Sequence, residues 1–142
     1  MSTNFAYFLL GEEAEVSLMK SMDDVWRSIE RIEPMLGGYI SLEAMNSLAQ
    51  IFLGKKAVLV LTDHALADGS CFYRASRKLC EKVASAEHED LLAASVPWSE
   101  SKGWKDTDVN RMDLAGFLLE MAALCKQLEN NYSLFVLFSK EG

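Results

Sequence analysis

Residues 62–71 hold the densest group of reactive side chains in the sequence. They follow an apolar run, residues 57–61, that is typical of a buried strand, and ligands of open α/β sheets bind beyond the carboxyl ends of the strands. We expect the next helix to begin here, and a thiol in its first turn would be activated by the helix dipole and a nearby histidine base. This candidate catalytic or ligand site consists of Asp63, His64, Asp68, Ser70 and Cys71.

The same side chains also suit ordinary structural roles. Asp63 and Asp68 are typical of turns and helix caps, Gly69 gives the backbone freedom, and Cys71 can pack as a small apolar residue. We favour these roles because no established catalytic pattern surrounds the cysteine and no Gly-x-Ser-x-Gly sequence occurs. No residue is therefore assigned as catalytic, and the Cys/His/Asp site stays an alternative.

The sequence predicts neither a metal nor a cofactor. The two histidines, His64 and His88, match no zinc spacing. The three cysteines, Cys71, Cys80 and Cys125, include no Cys-x-x-Cys pair, which argues against a zinc site and a disulfide framework and favours reduced thiols. The glycine motifs that cradle phosphates are also missing.

Residues 96–107 have neither a helical nor a strand period, which predicts the longest loop of the chain. Trp98 and Trp104 flank its polar part, and Trp is enriched among the residues that dominate binding energy at protein interfaces. The alternative is that both rings fold back onto the core, because Trp is usually well buried. We take this loop as the leading candidate for partner binding, with the residues Trp98, Glu100, Trp104, Asp106 and Asp108.

Apolar patterning predicts the elements that would position these groups. Apolar runs at residues 5–10, 57–61 and 132–138 indicate three strands, with the second at the sheet centre. Spacings of three and four predict about five helices. These helices cover approximately residues 18–32, 42–53, 70–84, 87–95 and 108–129. The predicted fold is one α/β domain over residues 1–142, with a small three-stranded, mainly parallel sheet in the order β-α-α-β-α-α-α-β.

The charge distribution limits the classes of partner. A net charge of −7 argues against nucleic acid and anionic membranes, since both require clustered Lys and Arg. Residues 1–43 carry eight acidic side chains against three basic ones, whereas residues 44–86 carry six basic against three acidic. The start lacks the basic region of a signal peptide and no stretch is apolar enough to span a membrane, so we expect a cytoplasmic protein.

Together these features favour a binding protein over an enzyme. We predict an acidic protein-binding module, an inhibitor or adaptor that masks a basic surface of another protein, because complementary charge speeds encounter. In size, acidity and α/β pattern the chain resembles small bacterial immunity and antitoxin proteins, and this resemblance implies that a toxin surface would be masked. The alternative is a small enzyme or ligand-binding domain at residues 62–71. A third alternative is a homodimer through the apolar stripe of the first helix, although such a stripe is more often a core face than a dimer seam.

Overall fold

One antiparallel sheet with helices on both faces organises the computed structural model, which describes residues 4–29, 36–54, 60–105 and 107–139. Within these residues the strands are β1 Asn4–Gly11, β2 Leu36–Ile40, β3 Val60–Ala65, β4 Cys71–Arg74 and β5 Ser133–Phe138. The α-helices are α1 Glu13–Ser17, α2 Met22–Ile29, α3 Leu42–Leu53, α4 Arg77–Ser85, α5 His88–Ser99 and α6 Arg111–Cys125. A 3-10 turn, Lys102–Trp104, lies between α5 and α6.

The described strands follow the order β2-β1-β5-β4-β3, and each neighbouring pair is antiparallel. The predicted three-stranded, mainly parallel sheet is therefore wrong, whereas the coarser prediction of an α/β protein is confirmed. β5 is the central strand, and its residues from Leu134 to Phe138 are all buried. The parallel sheet was predicted from the order of strands and helices. Burial on both faces of β5 removes the apolar and polar alternation that usually marks an antiparallel strand, so this run gave no sign of its direction.

The apolar run at residues 57–61 does not lead to the centre of the sheet. β3 is the last strand in the order of the described strands, and residues 55–59 lie outside the described part of the chain. A short turn joins β3 to β4, so a second strand follows where the sequence predicted a helix. An apolar run indicates burial, but it carries no information about the position of a strand within its sheet.

Two strands, β2 and β4, were absent from the sequence prediction. β2 contains Gly37 and Gly38, a pair that favours a turn, yet the Phe5 ring covers this strand closely enough that a Cβ at Gly37 would lie 3.0 Å from Phe5 Cε1. β4 contains Cys71, which the helix predicted over residues 70–84 placed in a helical first turn. Helix α4 begins only at Arg77, so the argument that a helix dipole activates this thiol is wrong.

The helix prediction was correct where capping residues at both ends of a helix mark its limits in the sequence. α3 has Ser41 as its N-cap, whose hydroxyl accepts the N–H of Ala44 at 3.0 Å, and it ends at Gly54 with φ 72°. The helix predicted from residue 18 begins later, because residues 18–21 form a break between α1 and α2, and α2 starts at Met22. Asp24 stabilises this break by accepting the backbone N–H of Lys20 at 2.8 Å.

Residues 96–107 are not the long loop that the sequence predicted. α5 continues through Pro97 to Ser99, and the 3-10 turn follows it. Helix α6 begins after Asn110, whose side chain accepts the N–H of Met112 at 2.7 Å, and it ends at Cys125 rather than near residue 129.

Helices cover the two faces of the sheet unequally. We call the face that packs against α3, α4, α5 and α6 the helical face, and it contains the larger core with Phe8, Trp98 and Leu118. We call the opposite face, which packs against α1 and α2, the second face, and its smaller core includes Leu9 and Phe135. Among the described helices none combines the length and apolarity that a membrane span requires.

Candidate functional site

Residues 62–71 end β3, form a tight turn and begin β4. Asp68 Oδ1 accepts the backbone N–H of Ser70 at 2.9 Å, and the carbonyl oxygen of Ser70 accepts the N–H of Leu66 at 2.8 Å. Gly69 has a φ of 92°, a left-handed conformation that glycine adopts without strain. Asp68 and Ser70 therefore close the hairpin between the two strands.

The sheet separates the thiol of Cys71 from the imidazole of His64. Cys71 pairs with Ala65 across the hairpin, so their side chains share one face, while the adjacent His64 lies on the other. There the His64 ring stacks on Phe72 with centroids 5.5 Å apart, and its Nε2 hydrogen-bonds to the carbonyl oxygen of Met19. A nucleophile and its base must share a hydrogen bond. The structure does not bring this cysteine and this histidine together.

Trp98 and Trp104 belong to the core of the helical face. Their rings meet edge to face with centroids 5.5 Å apart, and they are 0% and 6% exposed. Trp98 Nε1 donates to the carbonyl oxygen of Ala44 at 2.8 Å. Gly103 packs so tightly on α3 that a Cβ there would lie 2.3 Å from Ala44 Cα. The two rings are held inside the protein, as in the alternative that the sequence left open.

The other predicted site residues do not converge with these groups. Glu100 and Asp108 are exposed, whereas Asp106 and the side chain of Asp63 lie outside the described part of the chain. Within the described residues, no three His, Cys, Asp or Glu side chains gather in a way that could hold a metal ion. The carboxylates around the 3-10 turn therefore remain exposed charges without a shared centre.

Four aromatic side chains form a half-open surface on the second face of the sheet, and we call them the aromatic platform: Phe5, Tyr7, Trp26 and Tyr39. The Phe5 ring lies 4.8 Å from Tyr7 and 4.8 Å from Tyr39, and the Tyr7 ring lies 4.9 Å from Trp26, all between centroids. Tyr39 is 61% exposed and Trp26 is 43% exposed. A connected group of exposed rings is typical of a binding surface, whereas single exposed apolar residues are not.

Strand alternation explains how the sequence builds this platform. Phe5 and Tyr7 are two residues apart in β1 and so share a face, and the register places Tyr39 opposite Phe5 and Gly37 opposite Tyr7. Because Gly37 has no side chain, the Phe5 ring can lie over it. This surface was not predicted, because residues 5–10 were interpreted as a wholly buried strand and the two glycines as a turn. The aromatic alternation at the start of β1 is the signal in the sequence that indicates it.

One exposed carboxylate lies on the same side of α2 as Trp26 of the aromatic platform. Asp23 is exposed and lies three residues before Trp26, so both occupy one side of α2. The neighbouring Asp24 forms an ion pair with Arg27. Burial and the neighbouring phenol of Tyr39 raise the pKa of Tyr7 above its ordinary value, so its hydroxyl is neutral at physiological pH. The platform thus combines neutral rings with negative charge at its edge.

Comparisons with known proteins assign no family. No protein-family model matches the chain, and no curated protein matches it. One solved structure is similar, a protein of unknown function, YfbM, from Escherichia coli. It is 10% identical, the match covers 95% of this chain and 99% of that one, and the TM-score is 0.37. This likeness is too distant to identify the protein, so its function must be argued from its own residues.

Proposed function

We propose that this protein is a cytoplasmic, non-enzymatic binding module whose aromatic platform receives a basic segment of a partner protein. The observation that supports this function is the exposure of Trp26 and Tyr39 within a connected group of rings. The face of an aromatic ring attracts the cationic groups of Arg and Lys. A net charge of −7 and the exposed carboxylate of Asp23 favour the same kind of partner.

In this proposal the protein acts as an inhibitor or adaptor that masks a basic surface. Its size and acidity are similar to those of small bacterial immunity and antitoxin proteins, whose role would require such masking. Complementary charge accelerates the encounter with the right partner and disfavours acidic competitors. Glu100 and Asp108 remain proposed peripheral contacts because they are exposed. Trp98 and Trp104 stabilise the fold in this proposal and do not touch the partner.

Fluorescence anisotropy with a labelled arginine-rich peptide tests this function directly. We expect saturable binding that weakens as salt is added, because the charges at the platform are exposed to solvent. A cation–π contact at a partly exposed site contributes about 1 kcal/mol, so Trp26→Ala should weaken binding roughly fivefold. Tyr39→Ala should have a similar effect, for the same reason.

Two comparisons make the binding test specific. Met112→Ala is the matched control, because Met112 is 69% exposed on α6, which packs on the opposite face of the sheet, and its removal should leave affinity unchanged. A second peptide with Glu at every Arg position should not bind. Equal binding of both peptides would contradict the proposal, as would an undiminished affinity of a folded Trp26→Ala variant.

A further inference from the structure

Two cysteines that are distant in sequence meet where α4 packs on α6. Cys80 is on α4 and Cys125 is the last residue of α6. Both belong to the core of the helical face, with exposures of 1% and 4%. Their thiol groups interact with each other where the two helices pack together. Both are free thiols in this structure, so the contact joins two groups that can be oxidised as a pair.

The surroundings make the two thiols chemically unequal. The hydrogen bond from Cys125, opposed by burial, lowers the pKa of Cys80, and the charge of Arg77 lowers it further. The same hydrogen bond and burial raise the pKa of Cys125. The Arg77 guanidinium is fixed one turn before Cys80, because it donates to the carbonyl oxygens of Tyr132 at 2.9 Å and Glu129 at 3.1 Å. Of the two thiols, Cys80 therefore has the lower pKa.

A cavity gives small molecules a route to Cys80, which lines it and is therefore the member of the pair that meets an oxidant first. Its volume is about 340 Å³, and Arg74, Arg77, Cys80 and Tyr132 are among the residues that line it. The cavity lies where α4 meets the turn before β5, with a guanidinium at its wall. A small peroxide fits such a space, whereas a folded protein oxidant does not.

We propose that Cys80 and Cys125 form an oxidation site for small hydroperoxides, in which Cys80 reacts first and Cys125 resolves the product into a disulfide that joins α4 to α6. This site is independent of the proposed binding function. It uses two cysteines that were not among the candidate site residues predicted from the sequence, and it leaves Cys71 outside the reaction.

The reaction balances with hydrogen peroxide as the oxidant. The Cys80 sulfur attacks one peroxide oxygen, the O–O bond breaks, and the sulfur becomes a sulfenic acid while the other oxygen takes up a proton and leaves as water. The Cys125 sulfur then attacks the sulfenic sulfur, so that an S–S bond forms and the S–O bond breaks. The Cys125 proton leaves with the hydroxyl group as a second water. Two thiols and one peroxide give one disulfide and two waters.

Peptide mapping of the wild-type protein after treatment with hydrogen peroxide tests the site. Free thiols are alkylated under denaturing conditions and the digest is analysed by mass spectrometry. We expect a linked peptide pair that contains Cys80 and Cys125, its reversal by dithiothreitol, and no change of subunit mass on a non-reducing gel. In Cys125→Ser the reaction should stop at a sulfenic acid on Cys80, which dimedone captures.

The remaining variants separate this site from ordinary thiol oxidation. Cys71→Ser is the matched control and should form the disulfide at an unchanged rate. Cys80→Ser should leave Cys125 reduced, because the resolving thiol has no sulfenic acid to attack. The proposal is overturned if Cys80 and Cys125 stay reduced at peroxide concentrations that oxidise Cys71, or if the product links two chains through Cys71. Because peptide mapping is done first on the wild-type protein, the test remains decisive even if a variant does not fold.

Discussion

The indole N–H groups of Trp98 and Trp104 are satisfied differently, although both rings are buried. Trp98 Nε1 donates to the Ala44 carbonyl oxygen at 2.8 Å, whereas Trp104 Nε1 has no hydrogen-bond partner among the described atoms. Trp98→Phe removes a buried hydrogen bond and should lower the free energy of unfolding by about 1 kcal/mol more than Trp104→Phe, which removes an unsatisfied donor. Urea denaturation of the two variants measures this difference. Equal destabilisation would show that the two N–H groups are energetically equivalent.

The ionisation of Asp24, at the start of α2, makes the stability of the fold depend on pH. The backbone N–H of Lys20, the Arg27 side chain and the N–H of Ser21 lower the pKa of its carboxyl group below the ordinary value. Because the pKa is lower in the folded state, ionised Asp24 stabilises the fold above the unfolded-state pKa, and this stabilisation disappears as pH falls through the folded-state pKa. Asp24→Asn should therefore be less stable than the wild type at neutral pH.

Chemical denaturation over a pH series checks this expectation. The stability difference between the wild type and Asp24→Asn should shrink in acid, since both side chains are then neutral. Asp23→Asn is the matched control, because Asp23 is the exposed neighbour of Asp24 on the same helix. A gap that stays constant down to about pH 2 would mean that ionisation of Asp24 does not contribute.

Residue types could be read from the sequence, but the faces on which their side chains lie could not. His64 and Cys71 converge if a helix begins at residue 70, and they lie on opposite faces if a strand does, as it does here. Cys80 and Cys125 meet only because α4 packs on α6, and no spacing along the chain encodes that contact. The reactive groups could thus be listed in advance, whereas their pairing depended on the strand register and on helix packing.

Two glycines show how close packing of whole elements constrains the chain. A Cβ at Gly103 would lie 2.3 Å from backbone atoms of Ala44, so Gly103→Ala would force the 3-10 turn away from α3 and should cost at least about 2 kcal/mol. Gly116 lies within α6 with open space around it, so Gly116→Ala should stabilise the protein by about 0.5 to 1 kcal/mol through helix propensity.

Thermal unfolding of the two glycine variants checks this contrast. The substitution is chemically the same at both positions, so opposite shifts of the midpoint isolate the effect of packing. If Gly103→Ala melts at the wild-type temperature, the contact between the 3-10 turn and α3 is looser than the structure indicates.

Helices and strands that are marked by their own capping residues or apolar runs could be predicted from the sequence. Strands that form only because a distant strand pairs with them could not. α3 carries its own N-cap and C-terminal glycine, and β1 and β5 are apolar runs, so all three were anticipated. β2 is a strand because β1 pairs with it and an aromatic ring of β1 covers its glycine. The strand propensities of the residues in β2 do not predict this pairing. The direction of the strands was misjudged for the same reason, because pairing partners decide it.

At the scale of the whole molecule, the sheet keeps the two proposed activities apart. The aromatic platform lies on the second face, whereas Cys80 and Cys125 belong to the core of the helical face. Substitutions at the platform should therefore leave the thiols unchanged, and oxidation of the thiols should leave binding of the arginine-rich peptide intact. Each proposal can fail without affecting the other.

The charge and the packing of α2 together predict a monomer. The apolar stripe of the first helix left two roles open, a dimer seam and a core face. Val25 and Ile29 of that stripe are buried against the sheet, which favours the core face. A net charge of −7 on every copy adds repulsion at low ionic strength. Light scattering over a concentration series should give a constant monomer mass, both in low salt and where charge is screened. A dimer that Trp26→Ala abolishes would make a second copy of the chain the occupant of the platform, and it would contradict both this expectation and the proposed basic partner.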